Sequence, residues 1–276
     1  MGGGSEDGPA LPGCAMTGED LARLHADALR ALSSVTDPEL DEPITDLGFV
    51  KDVSIEDGIV TVDITTSTFW CSPNFVYMML EDAREAVSRV SGVRTVKVHL
   101  EGHHDAGKIN AAINLGKSFL ECYGPESEGD IAELNKRFRE KALRSRLHGM
   151  ATTIAKYGVT RDELIGLTLD DVKLEGDTAL VKSGGQIREV VDPTDAWRIA
   201  RYLSFLEKLG IRHGPLVVWD LEGTSPDWGE LDSFLIRSRS VRLSLSFNAE
   251  LCRALLKSRI DREQSPVLES GIRKPD

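Results

Sequence analysis

The chain has 276 residues, 41% of them apolar, and a formal charge of −12 from 33 Lys and Arg against 45 Asp and Glu. That length and apolar content suit one large globular domain or two modest ones. The acidic balance argues against broad, salt-driven binding to nucleic acid or anionic lipid.

The opening MGGGSEDGPALPG carries neither a basic n-region nor an apolar h-region, and no apolar run reaches about eighteen residues, so a cytoplasmic protein without a membrane span is expected. Residues 1–17, rich in Gly, Pro and polar groups, are expected to be a disordered tail. From Gly18 to Leu32 the apolar positions Leu21, Leu24, Ala28, Leu29 and Leu32 keep helical spacing. Asp37-Pro38 reads as a cap with a first-turn proline, but Pro43 stops any continuation, leaving a short turn. FVKDVSIED and GIVTVDITTS follow as two strands, and Asp57-Gly58 between them is a strong hairpin signal. They are expected to pair antiparallel.

Cys71 then sits where the second strand ends. Ser72 is placed to cap a new helix, Pro73 suits its first position, and Phe75, Met78, Met79, Ala83, Ala86, Val87 and Val90 mark one face up to Gly92. VRTVKVHL, residues 93–100, alternates as a third strand, and His103-His104-Asp105 ends it. Ile109, Ala112, Ile113 and the stretch 116–119 fit a short helix. The order predicts a small α/β sandwich with helices on one sheet face, spanning residues 18–123. GPESEGD, residues 124–130, is acidic and rich in turn formers and reads as a linker.

A second, α+β domain is expected over residues 131–262, with a flexible tail at 263–276. Ile131, Leu134, Phe138, Leu147, Met150 and Ile154 line a long helix, and Thr160 to Glu163 is a capping box. VKLEGDTALVKSGGQIREVV reads as strands joined at Glu-Gly-Asp and Gly-Gly turns. Asp192-Pro193 opens a helix to Leu209, PLVVWD reads as a buried strand, and NAELCRALLKSRI as a final helix.

Cys14, Cys71, Cys122 and Cys252 lie far apart with no CxxC pair, so reduced thiols are expected rather than a disulfide framework. A thiol just before the first turn of a helix is favoured as thiolate by unpaired amides and the helix dipole. The competing reading of Cys71 is a small hydrophobe packed beneath Phe69 and Trp70. No P-loop, GxGxxG, GxSxG or HExxH motif is present, so a non-catalytic role is expected.

Asp37-Pro38-Glu39-Leu40, then Asp46-Leu47-Gly48-Phe49-Val50, then Thr65, Thr68 and Cys71 before a helix, then Gly92-Val93 leading into a strand follow one another in order. On these motifs residues 21–120 resemble the MIP18/DUF59 family, a small domain of iron-sulfur cluster assembly factors and PaaD-like maturation proteins. The resemblance implies that Cys71 handles a metal or cluster, with Asp37 close by and Thr65, Thr68 and Ser72 supporting the thiol turn. The sequence departs from the family at the bulky Phe69-Trp70 pair, and at His103-His104-Asp105, which stands where a Pro-x-Trp segment is common. His103, His104 and Cys122 are candidate further ligands to a metal.

The implied function is transient handling of iron or an iron-sulfur cluster in assembling a client metalloenzyme, an iron-dependent oxygenase among the candidates. A homodimer that shares the site is one arrangement. The alternative is a protein-interaction module or dedicated chaperone for a metal-dependent oxygenase, with no direct metal handling. Residues 147–220 weakly resemble the start of a tyrosine-recombinase catalytic domain, but Thr160 stands where that family has an arginine, and neither a His-x-x-Arg nor a tyrosine after Tyr202 occurs. Recombinase catalysis is therefore not expected.

Overall fold

The computed structural model describes residues 16–124, 128–227 and 229–264, with the side chains of 128–132 left out of the description. Most of the expected N-terminal tail and all but two residues of the expected C-terminal tail lie outside the described residues. Helix α1, Gly18–Leu32, starts with a full capping box between Thr17 and Asp20 and buries Leu24, Ala28 and Leu32. Strands β1, Val50–Glu56, and β2, Ile59–Thr65, pair antiparallel through a turn in which Asp57 and Gly58 both have positive φ, 48° and 73°. Two such residues make the primed turn whose twist matches a hairpin.

Helix α2, Pro73–Ser88, crosses over to β3, Thr95–Glu101, which pairs parallel with β2 and leaves β2 central in the order β1-β2-β3. Val60, Val62, Ile64, Val98 and Leu100 turn one sheet face onto α2 and the following helix α3, Ala106–Ile113. Each such fully buried aliphatic contributes roughly 1.5–3 kcal/mol. Asn110 and Asn114 tie α3 to β3, their side chains bonding the backbone of Leu100 and Val98 at 2.8–3.1 Å. A short α4, Phe119–Tyr123, closes this part at Gly124, whose φ of 93° ends the helix.

The segment expected as a linker is helical from Glu128, where α5, Glu128–Lys156, begins. A second core forms around α5, α6 (Arg161–Gly166), a three-stranded antiparallel sheet of β4 (Val172–Glu175), β5 (Thr178–Ser183) and β6 (Gln186–Val190), and α7 (Pro193–Lys208). The chain is thus mixed α/β, with a small N-terminal α/β unit as expected.

Two expectations in the second half are corrected. PLVVWD is not a strand: Leu216, Val217 and Val218 are buried, but among the described residues the segment's β-pairing is a single antiparallel bridge from Pro215 to Thr168. Their polar groups are met piecemeal, Leu216 N–H by the Leu167 carbonyl at 2.8 Å and the Leu216 carbonyl by the Tyr202 hydroxyl at 2.7 Å. The final helix is also far longer than NAELCRALLKSRI. Helix α8, Leu231–Gln264, runs 34 residues and belongs to both cores, with Leu231 and Phe234 in the second and Ala249 and Leu256 in the first. Among the described residues no helix is long and apolar enough to cross a membrane.

Candidate functional site

The polypeptide leaves β2 at Thr65 and enters α2 at Pro73, and the intervening Thr66, Ser67 and Thr68 supply three hydroxyls beneath the turn that carries Cys71. The Cys71 thiol is partly buried and packs against the first core. Ser67 Oγ and Thr68 Oγ1 each lie 3.5 Å from Cys71 Sγ, and Thr68 Oγ1 also accepts from Trp70 N–H at 3.3 Å. Burial acts to raise the thiol's pKa, but hydrogen bonds from Ser67, Thr68 and Thr66 outweigh it and leave Cys71 below an ordinary cysteine. A thiolate here has donors already aimed at it.

Ser72 takes the N-cap position, as expected, yet its hydroxyl does not cap the helix; it turns to Asn74 Oδ1, which itself accepts from Phe75 N–H at 3.0 Å. Thr65 is not among the thiol's hydrogen-bond partners. Its hydroxyl donates to the Glu101 carbonyl at 3.4 Å and accepts a short hydrogen bond from Arg259 of α8. Asp37 is buried, and its Oδ1 accepts from Glu39 and Leu40 N–H at 2.9 and 2.8 Å, capping the short turn. Burial, opposed by those two bonds and reinforced by Glu39 and Asp41, pushes its pKa up to about 6.

His103 and His104 brace the turn from behind. The Cys71 carbonyl can only accept and the Asp105 N–H can only donate, so His103 donates from Nε2 to Cys71 O at 2.8 Å and accepts at Nδ1 from Asp105 at 3.1 Å. Both ring nitrogens are spent on backbone. Burial depresses the His103 pKa, more than the Cys71 carbonyl raises it, which keeps the ring neutral. His104 bonds the Phe69 carbonyl twice, through N–H at 3.0 Å and Nδ1 at 3.1 Å, and its ring lies 4.9 Å from that of Trp70. Phe69 and Trp70 are themselves exposed, at 48% and 74%, so they rim the thiol rather than bury it.

Among the described residues the group of three potential ligands with atoms within 4.8 Å of one another is Asp63, His99 and Glu101, on the outward face of β2 and β3. Cys71, His103 and His104 do not form such a group. Cys122 lies on α4, where its thiol is 3.9 Å from the Lys108 carbonyl.

Sequence reasoning passed over what α8 brings to this place. Leu245, Ala249, Cys252, Leu256 and Arg259 recur at helical spacing along one stripe. Leu256 Cδ2 lies 3.5 Å from where a β-carbon on Gly48 would stand, and the Arg259 guanidinium covers Gly102 and donates to its carbonyl at 3.1 Å. Cys252, one turn before Leu256, joins the first core together with Cys71. Burial raises the Cys252 pKa, Ser67 lowers it by hydrogen bonding, and the charges of Asp37, Cys71 and Glu39 raise it further. The stripe itself was visible in the sequence, but not what it would pack against.

A family model described as iron-sulfur cluster assembly protein matches residues 25–99. Over 103 residues the chain is 35% identical to a Porphyromonas gingivalis protein named Fe-S protein maturation auxiliary factor, a match covering 35% of this chain and 95% of that one. The chain belongs to the iron-sulfur cluster assembly protein family. It is also 37% identical over 85 residues to an uncharacterized protein of Methanocaldococcus jannaschii, across 30% of this chain and 87% of the relative. The family match contains Asp37, Thr65, Ser67, Thr68 and Cys71, whereas His103, His104, Cys122 and all of α8 lie beyond it. Ending at residue 99, it lends no support to the recombinase-like pattern of residues 147–220.

Proposed function

We propose that this chain is a non-catalytic assembly factor that carries iron or an iron-sulfur unit transiently at Cys71 and passes it to a client metalloenzyme recognised through the C-terminal half. The cluster is cargo, not a resident cofactor. The observation that supports this reading is the hydroxyl-lined turn: a partly exposed thiol with Ser67 and Thr68 each at 3.5 Å is held toward the thiolate, the form that ligates iron.

One thiolate cannot enclose an iron-sulfur cluster, which commonly takes four. Incomplete ligation suits transfer, because thiolates of a client, or of a second copy of the chain in a homodimer, complete the set in transit. The exposed Phe69 and Trp70 beside the thiol give an apolar rim for such a partner.

The test is anaerobic loading with ferrous iron and sulfide, followed by transfer to an apo-ferredoxin read by its visible absorption. Wild type transfers, and Cys71→Ala does not. Equal transfer by the two proteins overturns the reading and leaves the interaction-module alternative.

A further inference from the structure

We infer that a cavity of about 180 Å³ between the loop after α1 and helices α5, α7 and α8 binds a small phosphate, free or as a monoester. The inference is independent of Cys71. Four guanidiniums line the cavity, Arg146 on α5, Arg198 and Arg201 on α7 and Arg242 on α8, against two carboxylates, Asp41 and Glu42. In a chain of net charge −12 this is a local excess of positive charge.

The acids nearby do not use up these donors. Arg146 occupies both oxygens of Asp41. Arg201 Nη2 is buried beside the same carboxylate, 3.2 Å from Oδ2, yet finds no hydrogen-bond partner. Arg198 gives Nη1 to Asp195 at 2.7 Å, a carboxylate that also holds Lys156. Among the described residues Arg242 makes neither a hydrogen bond nor an ion pair. Gly149 lets it lie against α5, its Nη1 3.5 Å from where a β-carbon on that glycine would stand.

An orphaned donor and an unpaired guanidinium on one cavity wall are what an oxyanion satisfies. A carboxylate offers two oxygens in one plane, which a single arginine meets, as Arg146 does with Asp41. A phosphate spreads nearly two negative charges over several acceptors and can serve Arg198, Arg201 and Arg242 together. Burial, and then repulsion by Arg198, holds the Arg242 pKa below that of an ordinary arginine against the pull of Glu42, a strain that a bound anion relieves. Trp197 lines the same cavity, 46% exposed, with the Arg201 guanidinium 5.1 Å from its ring. Its free face is a flat surface for the organic part of an ester.

Calorimetric titration of the full-length chain at constant ionic strength tests this, with inorganic phosphate, adenosine monophosphate and adenosine as probes. Arg242 belongs to no ion pair, so Arg242→Gln should fold, as checked by circular dichroism. It should weaken phosphate binding roughly tenfold, Arg242→Lys less, and Arg30→Gln, on the exposed side of α1, not at all. Tighter binding of the nucleotide than of phosphate, with a change in tryptophan fluorescence that Trp197→Phe removes, identifies a monoester as the ligand. Equal binding of the two, with no fluorescence change, identifies free phosphate. No saturable heat at millimolar phosphate or nucleotide, equal affinity in wild type and Arg242→Gln, or adenosine binding as tightly as its monophosphate overturns the phosphate site.

Discussion

Arg146 of α5 forks onto Asp41 in the loop after α1, with Nε 3.0 and 3.1 Å from the two carboxylate oxygens and Nη2 2.6 Å from Oδ1. Both side chains are almost fully buried, at 9% and 5% exposure, and Arg201 of α7 adds a fourth contact to Asp41 at 3.2 Å. Asp41 also adopts a positive φ of 53°, a conformation an L-residue holds only when its surroundings fix it. This ion pair pins the loop that carries Asp37 to the second core.

Removing one partner of such a buried pair leaves a charge without compensation. Arg146→Met is expected to destabilise the protein by about 3 kcal/mol, near the low end for buried pairs because Arg201 still faces Asp41. Urea unfolding measures it. A loss under about 1 kcal/mol would show that the pair adds little beyond packing.

Asp37 makes stability depend on pH. Its folded-state pKa of about 6 lies above the ordinary 3.8, so the protonated form favours folding. That contribution is complete below 3.8 and is lost as pH rises through about 6. Asp37→Asn keeps an acceptor for the Glu39 and Leu40 amides and carries no charge. It should match wild type in acid and exceed it by about 3 kcal/mol at pH 8. Parallel unfolding curves at all pH values would contradict this.

The docking of α8 is tested at Gly102. Its φ of 61° suits glycine, and an added β-carbon would stand 3.1 Å from Arg259 Nη1. Gly102→Ala is expected to cost about 1–2 kcal/mol and to loosen α8. Hydrogen exchange should quicken from Ala249 onward while α1 and β2 stay protected. Unchanged exchange in α8 would mean that Arg259 does not hold the helix.

His104 holds the rim of the thiol. His104→Ala removes the Nδ1 bond to the Phe69 carbonyl and the ring against Trp70, so Cys71 should alkylate several-fold faster with iodoacetamide. Wild-type rates in that variant would show that Phe69 and Trp70 do not limit access.

The local part of the site was legible because its signals are short-range. Asp57-Gly58 fixed a hairpin, Pro73 a helix start, and Cys71 fell between them. What sequence could not supply came from afar. Ala249, Cys252 and Leu256 mark a buried stripe without naming its partner, and Arg259 reaches Thr65 across 194 positions of chain. PLVVWD misled because an apolar run reports burial and not strand pairing. The first half of α8, with its serines and arginines, lacks a continuous apolar stripe, which hid a helix that two cores share between them.

Native mass spectrometry after anaerobic loading with ferrous iron and sulfide tests the central claim most directly. Wild type should gain the mass of iron or an iron-sulfur unit, and Cys71→Ala, folded by circular dichroism, should gain none. The same gain in both proteins would contradict a cargo role for Cys71.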